Sequence, residues 1–246
     1  MSMAGKRVLV TGGGSGAGAS LALGFAAAGA DVIICGRRIE ALERTAAMHT
    51  AIRAIACDVG DEQSVINLYR QSGAIDIVIA NAGQSDSAVF TKTTLAQWNA
   101  MLTVNLTGVF LTFREGLRQM QGWGRLIAVC STAGLKGYAR VAPYAAAKHG
   151  VVGLTRSLAL EVARTPVTVN AICPGFLDTG MTAQSIRNIV EKTGRCEIEA
   201  LAALEAFNPQ KRLIQPDEVT ATALWLCGPG SEGINGQAIA ISGGEI

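Results

Sequence analysis

"VLVTGGGSGAGASLALGFAAAGA" occupies residues 8–30, and how it is read decides the fold. A short apolar run meets the glycines Gly12, Gly13, Gly14, Gly16 and Gly18, then an alanine- and leucine-rich stretch of helical character. That order favours a strand turning tightly into a helix, because glycine adopts backbone angles that other residues avoid. The first N–H groups of such a helix have no partners within it, and the helix dipole favours negative charge beside them. The turn therefore offers a seat for a phosphate.

The same strand-to-helix rhythm continues outward. Further apolar runs are "DVIIC" (31–35), "IRAIAC" (52–57), "IDIVIA" (75–80), "RLIAVC" (125–130), "VTVNAIC" (167–173) and "QAIAIS" (237–242), after "RVLVT" at 7–11. They lack the polar alternation of a strand with one wet face, which is how a parallel sheet reads when helices cover both sides. Amphipathic stretches at about 16–28, 39–48, 62–71, 96–119, 141–164 and 216–227 supply the helices. The pattern predicts one α/β domain over 1–246, a doubly wound, seven-stranded parallel sheet with no linker or internal repeat. One segment departs from it. Residues 175–215 hold "SIRNIVEKTG" and "EIEALAALEAF", two short helices in an excursion of the kind that often covers a binding site.

Composition narrows the function. Hydrophobic residues make up 49% and charged residues 16%, enough for a large core, and the net charge of +2 with no basic block argues against a nucleic-acid partner. The six cysteines show no metal-ligand spacing to His49 or His149, so no metal is expected, and they read as mostly buried, reduced thiols. "MSMAGKRVLVTGG" does not read as a secretory leader, and no apolar stretch nears the ~20 residues that span a bilayer. A soluble, cytoplasmic protein is expected.

The second strand gives the turn its meaning. It ends roughly 20 residues beyond the last glycine, the position that reads the adenosine ribose in dinucleotide sites. Here the strand ends in "ICGRR": Gly36, then Arg37 and Arg38, with no acid. A carboxylate there accepts from the 2′-OH of NAD, whereas a guanidinium receives the 2′-phosphate of NADP. NADP(H) is favoured, with NAD(H) still open. Asp58, after the third strand, is placed to accept from an adenine amino group or to cap a helix.

"PYAAAKHG" (143–150) sets Tyr144 and Lys148 four residues apart, one helical turn, among residues too small to cover them. Taken alone this is a surface pair. The sharper reading is a proton-transfer pair, and the rest of the chain decides between the two. His149 lies off that face and is expected to pack rather than act as a base.

In order along the chain stand Thr11-Gly12-x-x-x-Gly16-x-Gly18, Asp58-Val59, Asn81-Ala82-Gly83, Asn105 in "VNLTGVF", Ser131 after "RLIAVC", Tyr144-x-x-x-Lys148 and Pro174-Gly175. With these motifs in register over nearly its whole length, the chain resembles the short-chain dehydrogenase/reductase family. In style it is similar to bacterial 3-oxoacyl and polyketide ketoreductases. The resemblance implies a Rossmann-type domain whose Thr11, Gly12, Gly14, Ser15, Gly16, Gly18, Arg37, Arg38, Asp58, Val59, Asn81, Ala82, Gly83, Tyr144, Lys148, Pro174, Gly175 and Thr179 hold the dinucleotide. Asn105, Ser131, Tyr144 and Lys148 are the implied catalytic residues.

A free phenol ionises near ~10, and a neighbouring cation favours the phenolate, so Lys148 would fit Tyr144 for acid–base work near neutrality. Ser131 would hold the carbonyl oxygen, Lys148 the nicotinamide ribose, and Asn105 a water in a proton relay. Thr179 would meet the carboxamide, and residues 176–212 would form the substrate lid. The implied reaction interconverts a ketone and a secondary alcohol, foremost a 3-oxoacyl thioester on coenzyme A or acyl carrier protein. Arg187, Lys192, Arg195, Lys211 and Arg212 stand in or near the lid as candidates for a pantetheine or CoA phosphate. The runners-up are an NAD-dependent dehydrogenase of a cyclic or aromatic alcohol and, from another class, a dinucleotide-sensing scaffold without turnover. A homotetramer paired through the helices near 96–119 and 141–164 is also implied.

Overall fold

A computed structural model describes residues 2–246. Seven parallel strands form one sheet in the order β3-β2-β1-β4-β5-β6-β7. They are β1 (Arg7–Thr11), β2 (Asp31–Gly36), β3 (Ile52–Ala56), β4 (Ile77–Ala80), β5 (Gly124–Val129), β6 (Val167–Pro174) and β7 (Ala238–Ile241). The order reverses between β1 and β4, and at such a switch point the chain leaves in opposite directions and opens a crevice above the strand ends.

The absence of polar alternation is explained by two cores. Along β1, Val8 and Val10 point into one and Leu9 into the other, and all three are fully buried. Helices α1 (Gly16–Ala27), α2 (Ile39–Ala46) and α9 (Pro216–Cys227) cover the first face, where Leu21, Phe25, Leu42, Val219 and Ala223 meet. Helices α3 (Glu62–Ser72), α5 (Gly108–Gln119) and α6 (Ala142–Val162) cover the second with Val65, Leu68, Phe113 and Val151. Each fully buried side chain of this size contributes about 1.5–3 kcal/mol, so both faces hold the sheet strongly.

The stretch expected as one helix over 96–119 is three pieces. Helix α4 (Leu95–Leu102) runs into a π-helical turn, Thr103–Thr107, before α5 begins. A π-turn inserts one extra residue into the helical ladder, and such insertions are frequent at functional sites. Asn105 lies in that turn and is fully buried. In the excursion, α7 (Gly180–Thr193) starts five residues before the stretch expected from sequence, and α8 (Glu197–Glu205) follows it. The two ends of the excursion are tied together: Asp178 N–H donates to the Ile214 carbonyl and Ile214 N–H to that of Phe176, both at 2.9 Å. No helix among the described residues is long and apolar enough to cross a membrane.

Candidate active site

At the glycine turn the chain runs close against itself. Gly12 has φ of +69°, and a Cβ there would stand 2.9 Å from the Ala82 Cα; at Gly18 a Cβ would lie 2.2 Å from the Gly12 carbonyl oxygen. Thr11 faces the other way: its Oγ1 accepts from the N–H groups of Asn81 at 3.0 Å and Ala82 at 2.9 Å. The Asn81 Nδ2 returns a bond to the Thr11 carbonyl at 2.9 Å. Thr11 and Asn81-Ala82 thus brace the crevice between β1 and β4, and the turn keeps a bare backbone cradle at the N-terminus of α1. Helix α1 receives no side-chain cap from Ser15, so that hydroxyl is not spent on its own helix.

One wall of the crevice is a cleft of about 290 Å³ lined by Arg37, Asp58, Gly60, Gln84, Thr103 and Val104, among others. Arg37 lies on it and Arg38 does not; Arg38 instead occupies the cap position of α2. Asp58 accepts from the Gly60 N–H at 2.9 Å through Oδ1, while the cap of α3 is Asp61, whose Oδ1 accepts from Ser64 N–H at 2.6 Å. Capping is therefore not the work of Asp58. Val59 is buried against Gly108.

Beyond β5, Ser131 opens a short 3₁₀ turn (Thr132–Gly134) and its Oγ accepts from the Ala133 N–H at 3.1 Å, which leaves the hydroxyl hydrogen to donate elsewhere. Lys148 is buried, donates to the Val129 carbonyl at 3.0 Å, and its Nζ lies 5.6 Å from the centre of the Tyr144 ring. Sequence spacing and structure agree on this pair. Asn105 Nδ2 donates to the carbonyls of Gln84 at 2.9 Å and Met101 at 3.0 Å, and Oδ1 accepts from Gln84 N–H at 3.2 Å. A Cβ at Gly83 would come within 2.8 Å of the Asn105 Oδ1 and 3.9 Å of the Lys148 Nζ, so the missing side chain leaves these two polar groups on one small gap. Behind Ser131, the Cys130 thiol donates to the Lys148 carbonyl at 3.3 Å; the neighbouring Cys173 thiol lowers the pKa of Cys130, while the Cys130 thiol and burial raise that of Cys173.

One expectation needs correcting. His149 does not pack: it is exposed, and its Nδ1 sits 2.9 Å from the Ala145 carbonyl of its own helix. The cysteines are mostly buried, as expected: five are, and Cys196 at the start of α8 is exposed.

The excursion begins over the turn. After Pro174 and Gly175, Thr179 packs on Gly16, where a Cβ would lie 3.2 Å from the Thr179 Cγ2. Its hydroxyl makes no capping bond to α7. Between excursion and body is a second cavity of about 350 Å³, lined by Thr179, Thr182, Ile186, Leu201 and Arg212, among others. Arg212 is paired with Glu218 at 2.5 Å, whereas Lys211 is exposed and its ammonium donates to the Ala206 carbonyl at 3.3 Å.

Sequence reasoning missed a network beside this site. Tyr138 donates to the Glu245 carboxylate at 2.5 Å and shares a 2.6 Å bond with Thr132, while Lys136 approaches the same carboxylate at 2.8 Å. Burial first, then the bond to Glu245, raises the Tyr138 pKa well above its ordinary value. Its ring meets Phe176 and Phe207 at centroid distances of 6.4 and 5.6 Å. The available signal was "SGGEI" at 242–246, where two glycines after the last strand allow the chain to reverse.

Comparison with known proteins agrees with this geometry. Residues 6–189 match the family described as short chain dehydrogenase. The chain is 34% identical over 251 residues to the 3-oxoacyl-(acyl-carrier-protein) reductase FabG of Aquifex aeolicus, covering 98% of this chain and 97% of that one. It is 34% identical over 253 residues to a D-beta-hydroxybutyrate dehydrogenase of Cupriavidus necator, covering 98% of each. Among solved structures, a single-substitution variant of the actinorhodin polyketide ketoreductase with NADPH superposes with a TM-score of 0.93 at 33% identity, covering 100% of this chain and 99% of that one. The chain belongs to the short-chain dehydrogenase family and is an oxidoreductase acting on CH–OH groups.

Proposed function

With family membership as the premise, we propose that the chain is an NADP(H)-dependent reductase of 3-oxoacyl thioesters, with Tyr144 as acid–base and Ser131, Lys148 and Asn105 as its partners. The observation that carries this reading is Lys148, buried beneath Tyr144 with its ammonium anchored to the end of β5, one residue before Cys130 and Ser131. A lysine is almost never fully buried unless its charge has a partner.

The residues present fit a dinucleotide. The glycine turn at the N-terminus of α1, where Ser15 spends no hydroxyl on capping, suits a pyrophosphate, held by the backbone of Gly12, Gly14, Ser15, Gly16 and Gly18. Asp58 and Val59 would take the adenine, Arg37 the 2′-phosphate, and Arg38 would add charge from beside it. Asn81, Ala82, Gly83, Pro174, Gly175 and Thr179 would border the nicotinamide half. When bound, the cofactor exchanges hydride at the carbonyl carbon. In reduction Ser131 Oγ–H donates to the carbonyl oxygen and holds it, while Tyr144 Oη gives that oxygen its proton. Lys148 keeps a positive charge beside the phenol and binds the ribose hydroxyls. Asn105, facing Lys148 across Gly83, would seat the water that returns the proton. Helices α7 and α8 act as the lid over 176–212, excluding water once substrate is seated.

The names of the relatives support the acyl class: 3-oxoacyl reductase and beta-hydroxybutyrate dehydrogenase both describe oxidation-state changes at the third carbon of an acyl group. A second reading, an alcohol dehydrogenase for a cyclic or aromatic substrate using NAD⁺, draws on the ring cluster of Tyr138, Phe176 and Phe207. The test compares oxidation of NADPH and NADH at equal concentration with acetoacetyl-CoA. Faster turnover with NADPH is expected, and Arg37→Ala should remove the preference. Equal or faster turnover with NADH would overturn the cofactor assignment. Tyr144→Phe should abolish turnover and leave cofactor binding intact; a Tyr144→Phe variant that still turns over would overturn the acid–base role. Subunit pairing through α5 and α6, which expose Phe110 and Leu160, is part of the same proposal.

A further inference from the structure

We infer that Glu245, four residues beyond β7, is a positioning residue of the active site: its carboxylate fixes the loop that carries Ser131 against the Pro174-Gly175 turn. The inference rests on the catalytic reading of Ser131 and Tyr144 given above.

Only 3% of the Glu245 side chain is exposed, and a carboxylate taken out of water needs charged or hydrogen-bonding partners to remain there. Both partners come from the segment between Ser131 and Tyr144. Lys136 supplies the counter-charge at 2.8 Å and Tyr138 a hydroxyl at 2.5 Å. A phenol has one proton, and here it is given to Glu245, so the 2.6 Å contact with Thr132 must have the threonine hydroxyl as donor. Thr132 is the residue after Ser131. The chain of bonds therefore runs from the C-terminus through Tyr138 to the 3₁₀ turn that aims the serine. On its other side the carboxylate abuts Gly175, where a Cβ would lie 3.4 Å from Oε2.

The tail is shaped for this contact. Gly243 and Gly244 have φ of +61° and +94° and turn the chain back after β7, and a Cβ at Gly243 would overlap the buried Asn208 at 2.0 Å. The Tyr138 ring also leans on Phe207 in the turn after α8, so the tether joins loop, cofactor turn and lid at one carboxylate. Glu245 touches no reacting atom. It acts by holding Tyr138 and Lys136.

The test uses the full chain with Glu245→Ala, Glu245→Gln, Tyr138→Phe and the double variant Glu245→Ala/Tyr138→Phe. For each, kcat and KM are measured on whichever carbonyl the wild type reduces, acetoacetyl-CoA first, with NADPH affinity and melting temperature beside them. Misaiming a catalytic group by a fraction of an ångström slows chemistry more than binding, so Glu245→Ala should lower kcat about tenfold with NADPH affinity within about twofold. Glu245→Gln, which keeps an acceptor for Tyr138 but loses the charge facing Lys136, should fall between. Tyr138→Phe should match Glu245→Ala, and the double variant should be no slower than the worse single.

A wild-type kcat in Glu245→Ala, a loss that follows NADPH affinity or melting temperature instead of kcat, or additive losses in the double variant would each overturn the inference. Failure of the wild type on acetoacetyl-CoA counts against the acyl substrate alone, because the ratio of variant to wild type is read on any reducible carbonyl. If Glu245→Ala does not fold, Tyr138→Phe carries the test. Should no carbonyl be reduced, amide exchange decides. Exchange over residues 132–138 must be faster in Glu245→Ala or Tyr138→Phe than in the wild type, and unchanged exchange defeats the tether.

Discussion

Helices α1 and α8, of 12 and 9 residues, both border the proposed site, yet they are held in opposite ways. Helix α1 buries Ala17, Gly18, Leu21, Ala22, Phe25 and Ala26 against the sheet and α9; helix α8 buries Ala200 and Leu204 and leaves Ile198 80% exposed. The side that would grip the dinucleotide is part of the core, and the side that would cover the substrate rests on it lightly. Stability and cofactor geometry are therefore one problem in this molecule. Substrate coverage is another, open to change without unfolding the protein.

The sharpest way to break that comparison is at the turn. Gly18→Val would drive its Cβ into the Gly12 carbonyl, 2.2 Å away, and the Asn81 amide, 2.6 Å away, an overlap with main chain that no rotamer relieves. Overpacking of this kind costs about 3 kcal/mol or more. Denaturant midpoint and dinucleotide affinity should fall together. If either survives alone, cofactor geometry and stability are separable after all.

Thr11→Val comes next. The shape is kept, but the half-buried Asn81 and Ala82 N–H groups lose their acceptor, and leaving such a donor unsatisfied costs up to about 1–3 kcal/mol. A midpoint shift equivalent to about 2 kcal/mol or more is expected. A shift near zero would mean that Thr11 braces nothing.

The same contrast explains what was legible in the sequence. Central strands sealed on both sides leave little choice of residue type: Val8, Leu9 and Val10 of β1 are all apolar and buried, so such runs stand out, and six of the seven observed strands begin within one residue of the expected start. Tyr144, Lys148 and Ser131 were legible because their spacing is fixed by one helix and one strand end. The π-turn at Thr103–Thr107 was not, because one added residue hardly disturbs apolar periodicity over so long a stretch. Glu245 was hidden for a different reason. Its partners, Lys136 and Tyr138, lie more than a hundred residues earlier, and only the fold brings them to the end of β7.

On the loosely held side, Ile198→Ser should leave the denaturant midpoint within about 0.5 kcal/mol of wild type, since an exposed side chain buries nothing to lose. If α8 covers the bound acyl chain, KM for a long-chain 3-oxoacyl thioester should rise roughly fivefold, about 1 kcal/mol of lost apolar contact, while acetoacetyl-CoA is unaffected. A shift in midpoint without a shift in KM would assign α8 to the core and erase the distinction.

The smallest effect concerns the hinge where the excursion rejoins the body. Arg212 meets Glu218 of α9 through two bonds, at 2.5 and 2.9 Å, and donates to the Leu213 carbonyl at 3.2 Å, next to the Ile214 that pairs with the start of the excursion. The bond from Arg212 first, helped by the Gln215 N–H, holds the Glu218 pKa below its ordinary value against a modest opposing effect of burial. A carboxylate whose folded pKa is depressed contributes stability that is fully present above its unfolded value of about 4.3 and is lost as pH falls through the folded one. Both partners are well solvated, so screening keeps the contribution small and the global midpoint should barely move. The local response should be visible. As pH drops below about 4, amide exchange over residues 205–215, corrected for intrinsic rates, should quicken in the wild type. In Glu218→Gln it should already be quick at neutral pH and show no acid step. An acid step that persists in Glu218→Gln would place the pH sensitivity of the hinge in another carboxylate, with Glu205 and Asp178 on the same cavity the first to examine.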